Sequence, residues 1–210
     1  MAVGFQAQMP EVFEAFVSNA DLELFVAREV LDEIGHSPSG TWATLKSQVS
    51  SMVNKGTLER FPGAVRGDDD NDIRLLGADL NRIVGIGEAY SHALALRRNG
   101  AVFSKDSSAV RTLQKAGKPF APRLEPFDLM LLARKEGWVE SRFVVKALKR
   151  IRTEKRLGRG SDILTPGTDP EEALDRAETL VFLVDDPAAP VSPANGIAFS
   201  RRKPKGPHGS

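Results

Sequence analysis

Residues 87–106 read GEAYSHALALRRNGAVFSKD. The segment opens on an acid beside a glycine and runs through a helical stretch, Ile86 to Arg98. It then turns into a short apolar run, Ala101 to Ser104, and ends on a second acid, Asp106. A further helix follows over Ser107 to Ala116. The same alternation extends outward. Upstream, Leu22 to Ala27 (LELFVA) reads as a buried strand and Arg28 to Ile34 as a helix, with another helix over Pro10 to Val17. Ser37 to Gly40 break the chain before a helix over Thr41 to Val53, where Trp42, Leu45, Val49 and Met52 form an apolar stripe that reads as core or as an interface. Thr57 to Phe61 reads as a strand, and Arg66 to Asp72 as an acidic loop capping a helix over Ile73 to Leu80. Downstream come a short strand at Lys118 to Ala121 and helices over Pro126 to Lys135 and Ser141 to Glu154. Short apolar strands separated by helices predict an α/β fold with a parallel sheet. Chemistry in such sheets sits at the carboxyl ends of the strands.

Composition agrees with a folded domain. The chain has 210 residues, 41% of them hydrophobic, with 29 Lys and Arg against 28 Asp and Glu. No apolar run reaches the ~18 residues that a membrane span needs. The absence of cysteine excludes disulfides, thiolate zinc sites, iron–sulfur clusters and cysteine nucleophiles. With no visible secretory leader, that composition fits a cytoplasmic location. Residues 1–155 read as one domain, 156–186 as an extension in which 169–184 carry a helix and then a strand, and 187–210 as a disordered, proline-rich basic tail.

Familiar catalytic motifs are missing. Gly85-Ile-Gly87 continues to Tyr90, so the three-glycine dinucleotide pattern fails, and no phosphate loop or nucleophile elbow occurs. His36, His92 and His208 are too scattered for a His-x-x-x-His zinc pair. Asp68, Asp70 and Asp72 alternate as in a calcium loop, but Ile73 stands where its glycine belongs. What remains is three acids at structured places: Glu33 on the helix after the first strand, Glu88 at the start of a helix, and Asp106 at a strand end. Carboxylates gathered there would make a hard-oxygen site for Mg²⁺ or Mn²⁺, suited to phosphodiester hydrolysis. Each also has a plainer reading: a solvated helix residue, a first-turn acid and an N-cap. His92 lies one turn after Glu88 and reads either as an auxiliary to the site or as a structural histidine. A basic segment follows, with Lys146, Lys149, Arg150, Arg152, Lys155 and Arg156, which reads as a phosphate-backbone surface or as a solvated helix face.

This order resembles the PIN domain, the fold of VapC-type toxin ribonucleases and related metal-dependent nucleases. Four stretches carry the likeness: LELFVAREVLDEI at 22–34, GEAYSHALALRRNG at 87–100, AVFSKDSSAVRTLQKAG at 101–117 and LMLLARKEGWVES at 129–141. The resemblance implies a three-layer α/β/α arrangement around a parallel central sheet. It also implies Mg²⁺ or Mn²⁺ as cofactor, RNA as substrate, an antitoxin protein as partner and a dimer, with no membrane. It assigns metal-ligating acids to Glu33, Glu88 and Asp106, and an auxiliary role to Ser107, where one branch of the family has a second Asp. The chain departs from the family at its start, because MAVGFQAQ holds no acid where the first family Asp belongs.

The expected function is therefore a PIN-type endoribonuclease. The alternative is a catalytically impaired relative that binds RNA or protein. A third reading is an unrelated α/β protein whose acids never meet.

Overall fold

The computed structural model describes residues 10–36, 40–61, 68–104, 107–153, 167, 169–177, 181–184 and 197–200. In chain order these form α1 (Pro10–Asn19), β1 (Phe25–Ala27), α2 (Arg28–His36), α3 (Gly40–Asn54), β2 (Glu59–Phe61), α4 (Asp68–Leu80), α5 (Ile86–Arg97), β3 (Val102–Phe103), α6 (Ser108–Lys115), β4 (Arg123–Leu124), α7 (Pro126–Lys135), α8 (Ser141–Thr153), α9 (Pro170–Arg176), β5 (Val181–Val184) and β6 (Ile197–Ser200). The chain is thus a mixed helix and strand protein. Its described strands pair in parallel twos: β1 with β2, β3 with β4, and β5 with β6. The described residues fall into two compact units, one built from Glu23–Glu125, the other from the stretch up to Leu22 together with the chain from Pro126 onward. The expected boundary at 155–156 lies outside the described residues.

In the first unit, β1 passes into α2 without a connecting residue, and Phe25 pairs with Glu59, Val26 with Arg60 and Ala27 with Phe61. Helix α5 packs on α2, on α4 and on β1. Phe61, Ile73, Ala93 and Leu94 form one buried cluster, flanked by Phe25 and Leu76, and Leu80, Ala89 and Leu113 form another. On α4 the buried positions Asp70, Ile73, Gly77 and Leu80 repeat every three or four residues, the spacing of one helix face. Val49 and Met52 of α3 are buried, which favours the core reading of that stripe; the side chains of Trp42 and Leu45 lie outside the described residues.

Two local expectations differ from the structure. The acids from Asp68 to Asp72 do not form a loop but open α4 itself. Acids suit a first turn because its unpaired N–H groups carry positive charge, and Asp72 also pairs with Arg97 of α5. The strand expected at Lys118 to Ala121 lies instead at Arg123–Leu124, which pairs in register with Val102–Phe103. Pro119 has no N–H to give a ladder. Lys118 is held by Asp79 at 2.7 Å and the Ala121 N–H is taken by His92, so this segment is engaged by side chains before the strand begins.

In the second unit, α7 is apolar almost all round, with every residue from Phe127 to Ala133 buried, Asp128 included. Helix α8 is two-faced: Val144, Ala147 and Leu148 are buried while Arg142, Lys146 and Lys149 are exposed. Phe16 of α1 meets the Trp138 ring edge-on at 6.1 Å and the Phe199 ring at 5.9 Å. Arg134 of α7 pairs with Asp175 of α9. The helix and strand expected within 169–184 are present as α9 and β5. Within the stretch read as a disordered tail, residues 197–200 form β6 along β5; the rest of 187–210 lies outside the described residues. No helix among the described residues is long and apolar enough to cross a membrane.

The packing of α4 on α5 yields a prediction. A methyl group on Gly77 would lie 2.8 Å from the Tyr90 ring, closer than carbon atoms pack. Gly77→Ala gains helix propensity but overpacks this contact, so urea denaturation should show a net loss of about 1–2 kcal/mol. The same substitution in a Tyr90→Ala background should be neutral or stabilising, a coupling read by the double-mutant cycle.

Candidate functional site

Helix α5 starts at an unusual cap. Its N-cap is Gly85, in an extended conformation, which has no side chain to bond the first turn. The Gly87 N–H instead donates to Glu33 Oε1 at 3.2 Å, across 54 residues of sequence. Glu33 lies on α2, one turn before its end, and its side chain is otherwise exposed. The carboxylate therefore caps a neighbouring helix, where its charge suits the positive end of the dipole. Gly87 is buried, and a methyl group there would sit 2.8 Å from Glu33 Oε2. A methyl on Gly85 would sit 3.4 Å from Glu88 Oε2. Both glutamates thus converge on the Gly85–Gly87 turn, and the two glycines leave them the room. One turn on, the Ser91 hydroxyl donates to the Gly87 carbonyl at 2.7 Å.

Of the three acids singled out in the sequence, the structure brings Glu33 and Glu88 together. Asp106 lies outside the described residues, as does Lys105; the last described residue before them is Ser104, directly after β3. Ser107 is the N-cap residue of α6, but its hydroxyl makes no capping bond and accepts instead from the Arg111 guanidinium. Among the described residues no three His, Cys, Asp or Glu side chains stand in one group. The donors that do meet are carboxylate oxygens, the type that a hard divalent cation takes. Glu33 keeps Oε2 after Oε1 has accepted from Gly87.

His92 takes the structural role of its two readings. It is 2% exposed, and its Nδ1 accepts from the Ala121 N–H at 3.2 Å, tying α5 to the approach of β4. Burial pushes its imidazole below the ordinary value of 6.5. Asp79 is held below its usual range by the hydrogen bond from Lys118.

The basic residues belong to the second unit. Lys146 and Lys149 are exposed on α8, and Arg142, one turn before Lys146, pairs with Glu140 at 2.8 Å and lies over the Phe143 ring. Arg150 and Arg152 continue the helix, with side chains outside the described residues; Lys155 and Arg156 lie outside them entirely.

One pair escaped the sequence reading. Arg123 and Glu125 form a largely buried ion pair at 2.6 Å, with side chains 20% and 7% exposed. The one signal available was their spacing, since residues two apart in an extended segment share a face. Comparison with protein-family models, with curated proteins and with solved structures finds no match to the chain.

Two predictions follow from this geometry. The unfolded chain takes up a proton at about pH 6.5 on His92, whereas the buried imidazole resists it. Its contribution to stability is therefore complete above that pH and is lost as pH falls through the lower value of the folded state. His92→Asn, which keeps an acceptor near the Nδ1 position, should flatten stability between pH 7 and pH 5.5 in denaturant titrations. Gly87→Ala should drive the Glu33 carboxylate out of the turn and cost about 1–3 kcal/mol. Glu33→Gln, which keeps an acceptor oxygen, should cost less than Glu33→Ala in the same titration.

Proposed function

We propose that the chain is a Mg²⁺- or Mn²⁺-dependent endoribonuclease of the PIN type, with a three-layer α/β/α arrangement around a parallel sheet. The observation that supports this reading is the meeting of Glu33 and Glu88 at the start of α5. These acids come from elements 54 residues apart, and α2 follows directly on the carboxyl end of a parallel strand. Glu33, Glu88 and Asp106 would hold the ion. When bound, the ion supplies charge stabilisation at the phosphodiester and lowers the pKa of a water.

The chain's own residues would do the rest. The N-terminus of α5 offers backbone N–H groups and a positive dipole end beside the two carboxylates. Lys146 and Lys149 on the exposed face of α8 would hold phosphates without regard to base sequence, together with Arg150, Arg152, Lys155 and Arg156. Ser107 would orient a water by its hydroxyl. On this reading the protein acts in the cytoplasm, on RNA, as the dimeric toxin of a toxin–antitoxin pair.

A second reading has an observation of its own. The Glu33 bond to Gly87 N gives that carboxylate a purely structural task, and MAVGFQAQ holds no acid. The chain would then bind RNA or a protein partner without cleaving RNA.

RNA cleavage with Mn²⁺ and with EDTA separates the two. The nuclease reading expects cleavage with Mn²⁺, none with EDTA, and a loss of more than about 100-fold in Asp106→Asn and in Glu88→Gln with the fold retained. Salt-dependent RNA binding without cleavage, lost on Lys146→Glu with Lys149→Glu, supports the second reading. Undiminished cleavage by Asp106→Asn removes the first.

A further inference from the structure

Strands β3 and β4 are only two residues long each, too short to fix their carboxyl ends by ladder hydrogen bonds alone. Beyond the ladder, the Ser104 N–H donates to the Leu124 carbonyl at 2.9 Å. The Ser104 carbonyl accepts from Arg123 Nη1, also at 2.9 Å, while Nη2 of the same guanidinium donates to Glu125 Oε1 at 2.6 Å. Ser104 is thus gripped on both backbone groups from the neighbouring strand, and one grip is a side chain oriented by a buried carboxylate. The next two residues in sequence are Lys105 and Asp106.

We propose that Arg123 and Glu125 are positioning residues, whose fork on the Ser104 carbonyl sets the point and direction from which the Lys105–Asp106 segment leaves β3. This rests on the reading of Asp106 as a metal-holding acid and extends it to two residues that hold no metal themselves. The chemistry suits the task. A guanidinium presents parallel donors in a rigid plane, so it binds a carbonyl and a carboxylate at once with its direction fixed; a lysine ammonium has neither the plane nor the second fixed donor. Glu125, 5% exposed, keeps the guanidinium in place, since a buried charge without its partner is costly. An error of about 1 Å in a ligand's position is enough to weaken a site built from few donors.

The test uses the full chain and its Arg123→Lys and Glu125→Gln variants. Lysine keeps the charge and loses the fork; glutamine keeps the shape and loses the charge. Amide hydrogen exchange is followed over residues 104–108 without metal, and Mn²⁺ binding is measured by the electron paramagnetic resonance of the free ion. Both variants should exchange about tenfold faster or more over 104–108, while β1 and β2 keep wild-type rates. Their Mn²⁺ affinity should fall about 10- to 100-fold, as when groups that orient a ligand are removed. Wild-type exchange over 104–108 in the variants overturns the proposal. Failure of both variants to fold, or faster exchange throughout the chain, also overturns it, because the pair would then serve folding as a whole. Local acceleration in a protein whose wild type binds no Mn²⁺ overturns the metal reading of Glu33, Glu88 and Asp106, and with it the link from the fork to a metal, while the fork itself stands.

Discussion

Much of the first unit depends on one close approach, that of the Glu33 carboxylate to the backbone of Gly87. A helix beginning at a glycine has no side chain of its own to satisfy its first N–H groups. Here the missing partner comes from α2, and it fits only because position 87 has no Cβ. The contact therefore ties the helix that follows β1 to the start of α5, and α5 in turn carries Ala93, Leu94 and Ala89 into the two buried clusters of the unit. Cap, glycine and core are linked in one chain of cause. The same contact gathers two carboxylates where backbone N–H groups and a helix dipole are already set to receive charge.

That convergence has a cost and a use. Two like charges near one turn repel, and the dipole of α5 offsets part of that repulsion. A divalent cation would offset the rest far more strongly, because its oxygen ligands lie within ~2.6 Å of the charge. The physical tension at the Gly85–Gly87 turn is thus the kind that a metal relieves, and it is also the kind that a helix cap can sustain unaided when the acids are partly solvated. The nuclease and binding-module readings differ on this point alone.

The elements of the fold were largely legible because their signals are local. Helix spacing located α1, α2, α3, α5, α7 and α8 to within two or three residues, and short apolar runs located β1, β2 and β3. What failed had longer-range causes. The acids from 68 to 72 read as a loop by composition, yet a helix dipole and Arg97, 25 residues away, hold them in the first turns of α4. The strand after Gly117 was misplaced because His92 and Asp79, both distant in sequence, engage the residues before it. Residues 197–200 read as tail because their pairing partner, β5, lies across a proline-rich stretch that carries no periodic signal. At the site, Glu33 and Glu88 were visible as acids at element boundaries. The glycines that make room for them were visible only as breaks, and the Arg123–Glu125 pair only as two charges in a short strand.

The second unit is discontinuous: α1 precedes the whole of the first unit in the chain, yet its Phe16 packs on Trp138 and Phe199. During synthesis that helix leaves the ribosome more than a hundred residues before the rings it must meet. Its apolar face stays uncovered while the first unit is being made, and the second unit closes only after its last strand has emerged. The order of the chain thus imposes an order of assembly, in which the unit bearing the acids can be complete before the unit bearing the basic helix is.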